Sequence, residues 1–221
     1  MTNAQQFLER YGSWAVVTGA SDGIGLEIAR CLAEKGMNLV LVARRKEVLE
    51  HVASELTKKH SIHTKIISTD FSKAHATQEV IHITQDLEVG LLVASAGFGS
   101  SGEFITTDLG TELSMIDVNC RAVTEACHHF GGRFAKQKRG GIILLSSIVA
   151  FQGVPKSANY AATKAYIQVL AEGLHAELLP HGVNVLASAP ATVQTSFAKR
   201  ANMQVGAALT AETVARETLK A

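Results

Sequence analysis

Short runs of consecutive apolar residues alternate along this chain with longer stretches of helical periodicity. The runs lie at 14–18, 38–43, 63–68, 90–95, 142–146 and 183–188. Stretches such as "LVLVA" and "GIILLS" lack a polar alternate, the pattern of strands covered on both faces of a parallel sheet. Between them the spacing predicts helices over 23–35, 45–59, 73–86, 108–137 and 157–179, the last ended by Pro180 and Gly182. A further helix is predicted in "LTAETVARETLKA" at the end of the chain. Strand–helix alternation with short connections predicts an α/β fold, a doubly wound parallel sheet in three layers, with residues 1–221 as one domain. Such sheets bind ligands beyond the carboxyl ends of their strands, so each candidate functional residue should follow a strand.

Composition narrows the picture. Of 221 residues 47% are hydrophobic and 19% charged, an ordinary globular balance. A net charge of +1 offers no surface for nucleic acid or anionic membrane. The densest basic run, Lys136-Gln137-Lys138-Arg139, reads as a solvated helix end. Cys31, Cys120 and Cys127 are an odd, scattered set without C-x-x-C, which argues against a disulfide framework or a zinc site. Cys127-His128-His129 is no better as a metal site, because adjacent helical residues point in different directions. The polar start "MTNAQQFLERYGSW" carries no apolar signal segment, and no run reaches membrane-spanning length. A cytoplasmic protein without a metal is expected.

The stretch "VVTGASDGIG" follows the first strand and fits two motifs. Gly19-Ala20-Ser21-Asp22-Gly23 matches the G-x-S-x-G elbow of serine hydrolases, while Gly19, Gly23 and Gly25 form a G-x-x-x-G-x-G turn suited to a dinucleotide diphosphate. The hydrolase reading fails on context. No earlier strand exists to supply an oxyanion loop, and none of the histidines sits in an obvious triad position. In the phosphate reading the turn aims backbone N–H groups and a helix N-terminus at negative charge, with Ser21 as a hydroxyl donor and Asp22 and Ile24 beside it. After the second strand, where NAD-binding folds often carry an acid for the ribose hydroxyls, stand Ala43, Arg44 and Arg45. Two guanidiniums in place of an acid favour NADP(H) over NAD(H).

The next clue is "SSIVAFQGVPKSANYAATKAY". Tyr160 and Lys164 are one helical turn apart, and Ser147 lies at the carboxyl end of a strand thirteen residues before Tyr160. Together with Thr18 through Gly25, Asp70, Ala96-Gly97, Asn119 in "IDVN", and Pro190 through Thr195, these motifs run in order over nearly the whole chain. In them the chain resembles the short-chain dehydrogenase/reductase family. "TGASDGIG", "MNLVLVARRKEVLEHVASEL" and "LEVGLLVASAG" resemble the branch that holds 17β-hydroxysteroid dehydrogenases and long-chain 3-oxoacyl-CoA reductases.

The resemblance implies a Rossmann-type oxidoreductase moving a hydride between nicotinamide and a carbonyl or secondary alcohol, on a lipid-like substrate in that branch. It implies Tyr160 as proton donor, Ser147 as the partner of the substrate oxygen, Lys164 on the nicotinamide ribose, and Asn119 fixing a relay water. The charge on Lys164 should lower the phenol's pKa. Asp70 and Phe71 would meet the adenine, Ser95, Ala96 and Gly97 its ribose, and Pro190, Thr192, Val193 and Thr195 the nicotinamide amide and phosphates. Homodimers or homotetramers built on the helices at 108–137 and 157–179 are implied as well. Departures are Ser95 where the family often has Asn, Pro190-Ala191 for Pro-Gly, and Asp22 where many NADP-dependent members carry Lys or Arg. The family's seventh strand is not visible after the final helix, and Phe197, Met203 and Val205 within a substrate loop at about 191–210 offer an apolar lid. The alternative on the same fold is a non-catalytic NADP-binding regulator or scaffold.

Overall fold

The computed structural model of the chain describes residues 3–197 and 208–221. Six parallel strands, β1 (Trp14–Thr18), β2 (Asn38–Ala43), β3 (Thr64–Ser68), β4 (Val89–Ala94), β5 (Gly140–Leu145) and β6 (Val183–Ser188), form one sheet in the order β3-β2-β1-β4-β5-β6. The inner strands β4 and β5 are buried at every position, as their unbroken apolar runs predict. The edge strand β3 buries only Ile67 and leaves its other positions partly or fully exposed.

Helices cover both faces. On one, α2 (Gly23–Glu34), α3 (Lys46–His60) and α8 (Ala211–Thr218) pack Ile28, Leu32, Leu49 and Ala215 onto Val17, Leu39 and Leu41. On the other, α4 (Ala76–Ile83), α6 (Ala122–Gln137) and α7 (Ala158–Leu178) set Val80, Phe130, Phe134 and Ile167 against Val16, Leu92 and Leu144. A largely polar first helix, α1 (Asn3–Tyr11), is not among the predicted elements. It earns its place by contact: Phe7, Leu8 and Tyr11 lie on the sheet, and Asn184 donates to the Tyr11 hydroxyl at 2.9 Å.

Two elements depart from the spacing. The helix expected over 73–86 is shorter, because Ser72 N–H donates to Asp70 Oδ1 at 3.0 Å and holds a turn there. The long helix expected over 108–137 is broken into α5 (Leu109–Ile116), one π-helical turn at Asp117–Arg121, and α6. Arg121 pairs with Asp117 and Glu125 on the outside of that turn, and Asn119 points inward. Beyond the sheet, β7 (Val193–Gln194) and β8 (Leu209–Thr210) form a two-residue parallel ladder that brackets the segment leading into α8.

The order of strands places β1 beside β4, so the chain winds away to opposite sides from this pair and opens a crevice at its carboxyl end. Thr18 holds the two strand ends together. Its Oγ1 accepts from Ser95 N–H at 3.1 Å and Ala96 N–H at 3.0 Å, and its hydroxyl donates to Val93 carbonyl at 3.4 Å. The glycine turn closes on the same junction. Gly19 has φ +70°, and a Cβ there would lie 2.9 Å from Ala96 N. A Cβ on Gly25 would come 2.6 Å from the Gly19 carbonyl oxygen. Gly25→Ala should therefore lower the unfolding free energy by about 1–3 kcal/mol through forced displacement of α2. Urea unfolding checks this, and a variant as stable as the native chain would refute the packing argument.

Candidate active site

The carboxyl ends of the strands border one cleft of about 1360 Å³. Most residues singled out by sequence line it: Gly19 and Ser21 through Ile24 from the β1 turn, Arg44 and Arg45 after β2, Asp70 and Phe71 after β3, and Ser95, Ala96 and Gly97 after β4. Ser147, Tyr160, Lys164, Pro190, Thr192, Val193 and Thr195 line it from the other end. Gly25 and Asn119 do not line the cleft. Gly25 sits behind the turn as a packing glycine, while Asn119 is 2% exposed.

The glycine turn has the form of an anion cradle. Asp22 occupies the N-cap position of α2, yet its carboxylate makes no capping bond to the helix. It accepts instead from the Ser196 hydroxyl. The first N–H groups of α2 thus open on the cleft without a side-chain cap, the arrangement that suits a diphosphate. Arg45 Nη2 donates to Ser21 carbonyl at 3.1 Å and to Ser21 Oγ at 3.2 Å, tying the second strand's loop to the turn. Arg44 is exposed on the cleft wall, and its guanidinium has no hydrogen-bond partner among the described residues. The residues present therefore fit a phosphorylated dinucleotide: an uncapped helix end, a close-packed glycine turn and a guanidinium with all its donors available.

At the other end, Ser147 follows β5 in extended conformation and heads a short 3-10 turn, its Oγ accepting from Val149 N–H at 3.4 Å. Tyr160 is the third residue of α7 and Lys164 lies one turn on, so both project into the cleft. Lys164 is 8% exposed. Its Nζ donates to Leu145 carbonyl at 2.6 Å and stands 5.8 Å from the Tyr160 ring centroid. Burial pulls the ammonium down to about 8, opposed by Cys120.

The phenol behaves differently from the expectation that Lys164 lowers its pKa. Burial pushes Tyr160 up to about 12, and the Ser147 hydrogen bond offsets this in part. The physical reason is geometric. Lys164 spends its shortest contact on a backbone carbonyl, and desolvation weighs on both groups. Next to it the Cys120 thiol is held up to about 11 by burial, so it stays protonated at neutral pH.

The Asn119 side chain is held by three hydrogen bonds within the chain. Its Oδ1 accepts from Phe98 N–H at 3.1 Å, and its Nδ2 donates to Phe98 carbonyl at 2.9 Å and Thr163 Oγ1 at 3.0 Å. Both amide hydrogens and one acceptor position are used within the chain, and the π-turn is what brings the side chain there. Sequence reasoning also missed Thr18 as the tie between strand ends. It missed the wall formed by Phe98, Gly99, Val149 and Val154, apolar residues that carry no chemical motif. Phe197 covers the Tyr160 ring at 5.4 Å between centroids. Met203 and Val205, expected in the same lid, lie outside the described residues.

Comparison with known proteins agrees with this geometry. The family profile for short chain dehydrogenases matches residues 13–206. A 7beta-hydroxysteroid dehydrogenase from Clostridium sardiniense is 34% identical over 194 residues, covering 87% of this chain and 74% of the relative. A very-long-chain 3-oxoacyl-CoA reductase from Podospora anserina is 35% identical over 193 residues, 85% of this chain, which spans 57% of that protein's length. A short-chain dehydrogenase from Sphingobium yanoikuyae, solved in complex with NADPH, superposes with TM-score 0.90 at 30% identity over 94% of this chain and 83% of that one. The glycine turn, the switch between β1 and β4, and the Ser147, Tyr160 and Lys164 cluster thus sit in a chain that belongs to the short chain dehydrogenase family of oxidoreductases.

Proposed function

We propose that this chain is an NADP(H)-dependent reductase of apolar, lipid-like ketones, working in reverse as a secondary-alcohol dehydrogenase. One domain would carry both cofactor and substrate. The observation that supports this most is the convergence of Ser147, Tyr160 and Lys164 on the cleft that also holds the uncapped N-terminus of α2. A non-catalytic NADP-binding scaffold would have no use for a buried phenol and a buried amine at that place. The relatives' steroid and acyl chemistry supports the substrate class, as does the apolar wall of Phe98, Val149, Val154 and Phe197.

The bound nicotinamide supplies the hydride. The chain's own residues hold, orient and protonate. The turn at Gly19–Gly25 and the end of α2 take the diphosphate, with Asp70 and Phe71 at the adenine and Ser95, Ala96 and Gly97 at its ribose. Pro190, Thr192, Val193 and Thr195 face the nicotinamide half. Arg44 takes the 2′-phosphate, and Arg45 braces Ser21 beneath it. Ser147 donates to the carbonyl oxygen, and Tyr160, protonated with a pKa about 12, delivers the proton as charge develops there. Lys164 binds the ribose and keeps positive charge near that oxygen. Asn119 acts as a positioning residue through Phe98 and Thr163.

Three free thiols support a cytosolic setting. The exposed Leu109, Leu113 and Ile116 on α5 and Tyr166 and Val169 on α7 support packing against a second copy of the chain.

Tyr160→Phe tests the reading directly. Ketone reduction should fall by about 10²–10⁴-fold while NADPH affinity stays within about twofold, because only the proton donor is lost. Substantial residual reduction would overturn the assignment. In a second test, NADPH should bind more tightly than NADH, and Arg44→Ala should narrow the gap by weakening NADPH roughly tenfold to a hundredfold, the worth of a charged hydrogen-bonded contact. Equal affinities for the two coenzymes in the native protein would remove the basis for NADP(H). The pH profile gives a third. Below about 8 Lys164 is charged, and Tyr160 stays protonated up to about 12. Reductive turnover should hold level through neutrality and decline as pH rises past about 8, whereas alcohol oxidation, which needs a proton acceptor, should rise. Steady-state rates from pH 6 to 10 check this, and a reductive profile level to the top of that range would show that the charge on Lys164 is dispensable.

A further inference from the structure

We infer that the carboxylate of Glu112 is a positioning residue that fixes the turn carrying Tyr160. The inference rests on the reductase reading only for its catalytic consequence. Glu112 lies in the first turn of α5 and is 4% exposed. Its Oε1 accepts from the Ser100 hydroxyl at 2.7 Å and its Oε2 from Asn159 Nδ2 at 2.7 Å. Asn159 Nδ2 also donates to the Glu112 carbonyl at 3.0 Å. All these donors are neutral. No cation pairs with this carboxylate among the described residues, burial there is costly to a charge, and an apolar residue would fill the same space more cheaply. The charge at this place is therefore best explained by what it holds together.

It holds the two segments that flank the phenol. Ser100 follows Gly99, which lies flat against the ring: a Cβ on Gly99 would stand 3.0 Å from Tyr160 Cδ2 and 3.0 Å from Phe197 Cζ. Asn159 immediately precedes Tyr160. Two weaker ties run in parallel, from the Ser157 hydroxyl to Ser100 carbonyl at 3.4 Å and from Gly102 N–H to Lys156 carbonyl at 2.8 Å.

The start of α7 needs such support. Ser157 is at its N-cap position but makes no capping bond, since its hydroxyl is turned to Ser100. Tyr160 thus sits in the first turn of a helix whose end lacks a side-chain cap, the part of a helix that opens first. The Glu112 carboxylate supports that turn from outside, through the Asn159 side chain and not through the helix's free N–H groups. It clamps that turn to α5 and to the loop after β4, so the phenol's position relative to Ser147 follows from a contact on the far side of its own ring.

Two variants and two readouts test this. Glu112→Ala should lower kcat for ketone reduction roughly tenfold to a hundredfold, the cost of a small misplacement of a reacting group, with NADPH affinity within about twofold. Glu112→Gln keeps an acceptor for Asn159 and offers an N–H to Ser100, whose hydroxyl can rotate to accept, so it should restore kcat to within about threefold of native. Hydrogen exchange read by mass spectrometry, without cofactor or substrate, should speed up at 97–103 and 157–162 in Glu112→Ala and nowhere in the sheet. If Glu112→Ala does not fold, Ser100→Ala removes one arm of the clamp and should produce the same exchange pattern at smaller amplitude. Unchanged exchange at both segments would overturn the proposal. So would a loss of kcat matched by loss of NADPH affinity and faster exchange throughout. A native protein that turns over no ketone would defeat the reductase reading alone, because the exchange measurement would still decide whether Glu112 fixes the turn.

Discussion

The adjacency of β1 and β4 is the constraint on which the site depends. These strands are neighbours in space and far apart in sequence, and the chain leaves their carboxyl ends towards opposite faces. Backbone there is drawn away from the sheet on both sides, leaving a crevice that neither layer of helices can fill. The crevice holds its shape because the two strand ends cannot part. Thr18 binds the amides of Ser95 and Ala96, and Gly19 and Gly25 approach so closely that neither position has room for a side chain. The glycines set how near a ligand's phosphates can come to the backbone, and Thr18 sets where the next loop begins.

Around this frame the chain keeps two charges in places where charge is expensive. Lys164 is buried and loses part of its affinity for a proton, while Glu112 is buried among neutral donors. For Lys164 the linkage has a clear sign. Its pKa falls from 10.5 to about 8 on folding, so the unfolded chain binds the proton more readily and stability rises with pH across that interval. Below about 8 the folded state bears the whole penalty. A hydrophobic residue would be more stable there, so the amine lies against stability in the wall of the cleft beside Tyr160. Tyr160 shifts the other way, because desolvation opposes its anion, so the buried phenol keeps its proton at neutral pH.

The π-turn at Asp117–Arg121 links these features. An uninterrupted helix would carry Asn119 to a different angle. The extra residue in the turn brings it inward, where it grips Phe98 and Thr163 together. Phe98 belongs to the loop after β4 and Thr163 to the helix that holds Tyr160 and Lys164. One amide thus couples the loop after β4 to α7, and Glu112 makes a second such coupling one helical stretch earlier.

The alternation of apolar runs and helical periods was enough to give the α/β class, the six sheet strands and their parallel sense, because strands buried on both faces leave a composition no other element shares. The glycine turn, the paired arginines and the Ser147, Tyr160 and Lys164 spacing were legible for a related reason: each is a local motif whose geometry follows from one strand end or one helical turn. Contacts between segments distant in the chain were not legible. Nothing near Glu112 in sequence announces Ser100 or Asn159 as its partners, and the short apolar stripe of α1, Phe7, Leu8 and Tyr11, does not tell which surface it covers. The direction of the Tyr160 shift also waited on tertiary structure. The four-residue spacing puts an ammonium on the same helical face as the phenol, yet only the packing of α7 against β5 decides that the amine turns to Leu145 and that burial governs both groups.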